Sequence, residues 1–142
     1  MLIMPKKTRN ARRKLSSQQV RELDLEIVFM EGVLRRDPGY VEALQILGDD
    51  YTRRDRFADG LRIDQRLVQL RPRDSLVHYN LACSYSLMQQ CELAAEALNS
   101  AINLGYKDFD WMARDPDLTH LREHAGYKRI QARVRCLCVK ET

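Results

Sequence analysis

The sequence predicts an all-α fold in which antiparallel helix pairs stack into an open solenoid. The first observation is an internal repeat of 34 residues in the 142-residue chain. Residues matched by this shift are Leu47 with Leu81, Gly48 with Ala82, Tyr51 with Tyr85, and Gly60 with Ala94. The second observation is helical spacing of the apolar residues, in stretches too polar to be buried strands.

The first full repeat is predicted over residues 41–74 and the second over residues 75–106. In the first repeat, Leu44, Leu47 and Tyr51 are spaced i, i+3 and i+7, which indicates one apolar stripe on a helix. The second helix of this repeat carries Leu61, Leu67, Val68 and Leu70. A charged residue, Asp64, interrupts this apolar stripe, so the pattern predicts a helix less clearly than that of the first helix.

Small residues mark where the two helices of each repeat should cross. Gly48 and Gly60 are 12 residues apart, as are Ala82 and Ala94. A glycine inside a helix costs roughly 1 kcal/mol relative to alanine, so close packing is the expected compensation. We therefore predict that Gly48 lies against Gly60, and Ala82 against Ala94.

A half repeat is predicted over residues 17–37, as one helix from about Ser17 to Arg36. No helix precedes it in the repeat, so Leu23, Ile27 and Leu34 are expected to form an exposed apolar edge through which the chain could form a homo-oligomer. Residues 1–16 are predicted to be a basic flexible tail.

After residue 106 the repeat stops, because Pro116 falls at a position inside a first helix, where proline is disfavoured. Residues 107–138 are predicted to be a helical cap, and residues 139–142 a short tail. Asp115 can cap a helix that starts with Pro116. The apolar residues expected to cover the last repeat are Leu118, Leu121, Tyr127 and Ile130. In total we expect six or seven helices and no sheet.

Two stretches, "LQILGDDYTRRDRFADGLRIDQRLVQLRP" and "HYNLACSYSLMQQCELAAEALNSAINLG", resemble tetratricopeptide repeats. The pattern departs from the family at Asp64, Leu67 and His78, and Tyr106 replaces the closing proline. The stretch "ARDPDLTHLREHAGYKRI" resembles the segment that closes many bacterial arrays of this family. The resemblance runs from Gln18 to Ile130.

Membership of this family would imply a non-catalytic adaptor or scaffold, in which first helices line a concave groove for a peptide or protein partner. The groove residues implied by matching positions are Gln45, Asp49, Thr52 and Arg53 in the first repeat, and Tyr79, Asn80, Cys83 and Ser86 in the second. Asn80 is at a position where an amide can hold the backbone of an extended ligand. Ile46 stands at that position in the first repeat, so the set that grips a C-terminal carboxylate in chaperone-binding members is absent.

The net charge of +4 is unevenly distributed, since residues 1–19 carry +6 and the remainder carries −2. An alternative function is therefore association with nucleic acid through the basic N-terminal tail, although that tail lacks aromatic residues for base stacking. A third hypothesis is a small chaperone for a secreted protein. No apolar run is long enough to span a membrane, and the N-terminal residues do not resemble a secretory signal, which predicts a cytoplasmic protein.

Two patterns of possible metal ligands are present, and both are incomplete. His120 and His124 in "HLREH" match the zinc pattern of inverted zinc peptidases, but no third ligand is evident. Cys136 and Cys138 are too closely spaced for a zinc knuckle. We predict no metal, no cofactor and no enzymatic activity, with the four cysteines as free thiols.

Overall fold

The computed structural model describes residues 14–140, and within this range the regular secondary structure is helical, without a strand. The α-helices are α1 Ser17–Arg36, α2 Val41–Arg53, α3 Phe57–Leu70, α4 Ser75–Leu87, α5 Cys91–Asn103, α6 Phe109–Met112, α7 Thr119–Arg122 and α8 Ala125–Lys140. The all-α prediction is confirmed. The range holds eight α-helices rather than six or seven, because the closing segment breaks into short helices and a 3₁₀ turn at Pro116–Leu118. None of the helices described combines the length and the apolar character that a membrane span requires.

The chain forms two compact units, which divide between Arg73 and Asp74. The N-terminal unit contains α1, α2 and α3, and the C-terminal unit contains α4 to α8. Of the predicted basic tail, residues 1–13 lie outside the described range, as do the last two residues of the predicted C-terminal tail.

Helix α1 begins with a capping box, in which the Ser16 side chain accepts from the Gln19 amide and the Gln19 side chain accepts from the Ser16 amide. The helix packs on α2, since Ile27 forms a buried cluster with Leu47 and Tyr51, and Leu34 packs against that cluster. Leu23 is also buried. The prediction that Leu23, Ile27 and Leu34 form an exposed edge is therefore wrong, because Leu23 and Ile27 are buried and Leu34 packs against the cluster.

The close approach of α2 and α3 occurs at the two predicted glycines. A Cβ atom added to Gly60 would lie 3.7 Å from the backbone oxygen of Gly48 and 3.1 Å from Thr52 Oγ1. One added to Gly48 would lie 3.1 Å from Ile63 Cγ2. The predicted contact between Gly48 and Gly60 is confirmed, and both positions are too crowded for a large side chain.

In the C-terminal unit, α4 packs on α5, and the small residues Ala82 and Ala94 are each fully buried. Gly105, with a φ of 105°, follows α5 and turns the chain into the closing segment. Helix α8 approaches α5 closely, because a Cβ on Gly126 would lie 3.0 Å from the Ala95 Cβ. The apolar residues predicted for the cap, Leu118, Leu121, Tyr127 and Ile130, are all buried.

Candidate partner-binding site

Three of the predicted groove residues form a row on α2. Gln45, Asp49 and Arg53 are spaced four residues apart, so they lie on one face of the helix. Gln45 and Asp49 are half-buried and Arg53 is exposed. Ile46, beside this row, is 38% exposed. The row therefore offers an amide, a carboxylate, a guanidinium and an apolar side chain within three turns of helix.

The Gln45 amide nitrogen is buried and has no hydrogen-bond partner among residues 14–140. An unsatisfied buried donor typically costs about 1–3 kcal/mol. A side-chain rotation that brought this nitrogen to a partner's carbonyl oxygen would recover that energy.

Thr52 does not belong to this surface, although its repeat position placed it in the predicted groove. Its side chain is only 4% exposed. The hydroxyl donates to the backbone oxygen of Gly48 at 3.0 Å, within the crossing of α2 and α3. Thr52 is therefore a packing residue, and its assignment to the groove is wrong.

The predicted groove residues of α4 are also buried. Tyr79, Cys83 and Ser86 are at most 1% exposed, and Asn80 is 9% exposed. The closing segment of the same unit covers this helix face, since Tyr79 and Cys83 contact Asp115, and Ser86 accepts a hydrogen bond from the Leu121 amide at 3.2 Å. Contrary to the sequence prediction, these side chains are not open to a partner.

Asp115 is the hub of this covered face and is itself 2% exposed. Its Oδ2 accepts from the Tyr79 hydroxyl at 2.7 Å, from Trp111 Nε1 at 3.0 Å and from Cys83 Sγ at 3.6 Å. Its Oδ1 accepts from the Asp117 amide at 2.9 Å, which makes Asp115 the predicted N-cap of the 3₁₀ turn. A buried carboxylate with four donors is well satisfied and ties the closing segment to α4.

The tyrosine that donates to Asp115 is held rigidly. Its ring stacks on that of Tyr106, with centroids 4.3 Å apart and planes at 10°. Burial, reinforced by neighbouring Cys83 and Asp115, raises the pKa of Tyr79. The phenol therefore remains protonated and keeps donating its hydrogen bond.

Cys83, Asp115 and Asp117 bring their possible ligand atoms within 4.8 Å of one another, the one such group found among residues 14–140. The Asp115 oxygens already accept four hydrogen bonds, as described above, so this arrangement is a hydrogen-bonded hub. The group does not support a metal site, because a metal would have to displace those donors.

The histidine pair also lacks metal-site geometry. Helix α7 ends at Arg122, so His120 and His124 do not share a continuous helix face. His124 Nδ1 accepts from the Gly126 amide at 3.0 Å, which occupies one ring nitrogen. All four cysteines lie within the described range and are free thiols, with Cys136 and Cys138 exposed on α8.

Asp50 is a buried carboxyl in the N-terminal unit that the sequence analysis did not single out. Asp50 is 2% exposed. Burial, followed by a hydrogen bond and charge repulsion with Glu26 and repulsion from Asp49, raises the pKa of Asp50 to about 8, while Arg53 opposes the shift. At neutral pH the neutral form of Asp50 is therefore favoured beside Glu26. No repeat position predicts this contact, since it joins α1 to α2.

No family model matches the chain. The chain is 28% identical over 116 residues to a chloroplastic protein of Arabidopsis thaliana. The match covers 78% of this chain but 33% of that protein, so the chain spans about a third of the length of this curated relative. The relative's name gives a chloroplast location and states no activity.

Proposed function

We propose that the chain is a non-catalytic protein-interaction module of the tetratricopeptide type, which binds a protein or peptide partner. The observation that carries the proposal is the repeated helix pair. The first pair crosses at Gly48 and Gly60, and the equivalent positions in the second pair, 34 residues on, are the fully buried Ala82 and Ala94. This combination of period and small residues is typical of such repeats. The two full repeats, the half repeat α1 and the helical cap are parts of this proposal.

The surface proposed for the partner is the row formed by Gln45, Asp49 and Arg53, together with Ile46. Arg53 can form charge-assisted hydrogen bonds to a carboxylate or a backbone oxygen. Gln45 can donate to and accept from an extended backbone, and Ile46 can bury an apolar side chain. The partner that fits is an extended peptide with an acidic residue next to an apolar one.

The open surface holds fewer residues than the predicted groove, because the predicted residues of α4 are buried beneath the closing segment and Thr52 is buried as well. Few contacts must then offset the entropy lost when a peptide becomes ordered. We therefore expect weak binding of an isolated peptide, and tighter binding of a folded partner that adds contacts beyond this row.

Charge reversal tests this proposal. Arg53→Glu and Gln45→Ala should weaken capture of a co-purifying partner while leaving the circular dichroism spectrum unchanged. Arg66→Glu is the matched control, because Arg66 is also exposed but lies on α3, outside the row. Equal capture by all three variants and by the wild type would show that this row is not the working surface.

A second candidate function, association with nucleic acid, is favoured by one observation on α8. Residues 125–140 contain no acidic residue. The exposed basic residues on this helix are Lys128, Arg129, Arg135 and Lys140. Phosphate contacts of such residues would make binding fall steeply with salt, with a slope of roughly −0.9 per contact on duplex DNA. A protein partner bound through the α2 row, which carries one exposed arginine, would depend on salt much less steeply.

The cytoplasmic location remains part of the proposal. The name of the Arabidopsis relative assigns that protein to the chloroplast. The cellular location of this chain is therefore tested by experiment. Fractionation of the source cells, with antibody detection of the chain, decides between a cytoplasmic pool and an organellar one.

A further inference from the structure

Helix α1 has a second apolar face, opposite to the one that packs on α2. Leu25 is 72% exposed, Val28 66% and Phe29 67%. These are three of the four most exposed large apolar side chains among the described residues, and their spacing of i, i+3 and i+4 places them side by side. A lone exposed leucine needs no explanation, whereas a contiguous patch of this kind indicates an interaction surface.

The spacing along this face is that of a helix seam. Residues 18, 22, 25, 29, 32 and 36 follow one another in steps of four and three, so they lie in one line along the helix. They are Gln18, Glu22, Leu25, Phe29, Gly32 and Arg36. The centre of the seam is therefore apolar, and its two ends carry opposite charges.

We propose that this seam pairs with the α1 seam of a second copy of the chain, in antiparallel orientation. The charges at the two ends of the seam favour a second copy of α1 as the binding partner, and they favour the antiparallel over the parallel orientation. In an antiparallel pair, the acidic end at Glu22 of one copy lies near the basic end at Arg36 of the other. A parallel pair would place Glu22 next to Glu22 and Arg36 next to Arg36, which is repulsive.

The two-fold axis of this dimer passes between Leu25 and Phe29. Leu25 of each copy then packs against Phe29 of the other, which gives the two equivalent contacts that a two-fold interface requires. Gly32 leaves space for the partner helix, because a Cβ added there would meet only the far end of the Arg35 side chain, at 3.6 Å. Glu22 lies over this glycine and within one turn of Arg36 of the other copy.

The seam is small for a stable interface. Stable interfaces bury roughly 800 Å² on each partner, and the two apolar side chains of the seam, Leu25 and Phe29, with Val28 beside them, contribute only part of that area. The dimer therefore dissociates on dilution, in about the micromolar range or above. This inference does not depend on the proposed function, because the seam and the α2 row share no residue.

Analytical ultracentrifugation of the full chain over a wide range of concentrations tests the proposal. The wild type should change from monomer to dimer as concentration rises, and Phe29→Glu should remain monomeric. Leu93→Glu is the matched control on another exposed apolar residue, 42% exposed on α5, and should dimerise like the wild type. Circular dichroism of each variant checks that α1 still folds.

Charge exchange tests the direction of the pair. Glu22→Arg and Arg36→Glu should each weaken dimerisation by about tenfold or more, since each creates two repulsive contacts. The double variant should recover most of the wild-type association, because the attractive pairs are rebuilt with their signs exchanged. A wild type that stays monomeric at every concentration would overturn the proposal. So would a Phe29→Glu variant that dimerises normally, or a double variant no better than the singles.

Discussion

Replacing Gly60 by leucine tests the close crossing of α2 and α3. Its added Cβ would lie 3.1 Å from Thr52 Oγ1, and Thr52 is fixed by its hydrogen bond to Gly48. The remaining leucine atoms must push the helices apart, at a typical cost of about 1–3 kcal/mol. Gly60→Ala should be close to neutral, because its contact with Thr52 opposes a gain in helix propensity of up to about 1 kcal/mol.

Gly32→Ala is the control for this series. Gly32 is also inside a helix, but an added Cβ meets only a flexible side-chain end at 3.6 Å. This variant should therefore be stabilised by about 0.5–1 kcal/mol. Urea unfolding followed by circular dichroism measures all three variants, at low protein concentration because Gly32 lies on the proposed dimer seam. The reasoning fails if Gly60→Leu unfolds at the same urea concentration as the wild type, or if both alanine variants gain equally.

Three further predictions concern buried polar groups. Tyr79→Phe removes the 2.7 Å hydrogen bond to Asp115 and should destabilise the C-terminal unit by about 1.5–3 kcal/mol, measured by urea unfolding; an unchanged midpoint would contradict the hub. The pKa of Asp50 is raised in the folded state to about 8 from an ordinary value of 3.8, so its contribution to stability is complete below about pH 4 and is lost as pH rises towards 8. Asp50→Asn, which cannot ionise beside Glu26, should gain on the wild type as pH rises from 4 to 8, and a pH-independent difference between their unfolding curves would argue against the shift. Chelator treatment should leave the melting temperature unchanged, because the oxygens of Asp115 near Cys83 already accept hydrogen bonds; a drop in melting temperature with release of zinc would refute this.

The helix pairs were predictable from the sequence because their packing repeats. Gly48 and Gly60 recur as Ala82 and Ala94. A small residue repeated at the same position on both helices of a pair indicates that the two helices cross closely there. The covered face of α4 was not predictable in this way. Tyr79 and Asp115 are 36 residues apart, and their contact depends on the path of the chain after Gly105, where the repeat has ended.

The orientation of α1 was also beyond the sequence pattern. This helix has apolar residues on both sides, so periodicity alone does not say which side meets α2. Ile27 is buried, and Phe29, two positions along, is exposed. The structure resolves the ambiguity through the cluster of Ile27, Leu47 and Tyr51. The burial of Asp50 beside Glu26 follows from the same choice of face.

Site-specific photocrosslinking tests the proposed function most directly. A photoreactive amino acid is placed at Gln45 or Arg53, within the row on α2, and at Arg66 or Lys128 as exposed controls outside it. Irradiation in the source cells should give a discrete protein adduct from the two row positions and not from the two controls. Adducts that form only at Lys128, or equally at all four positions, would contradict a partner site on α2.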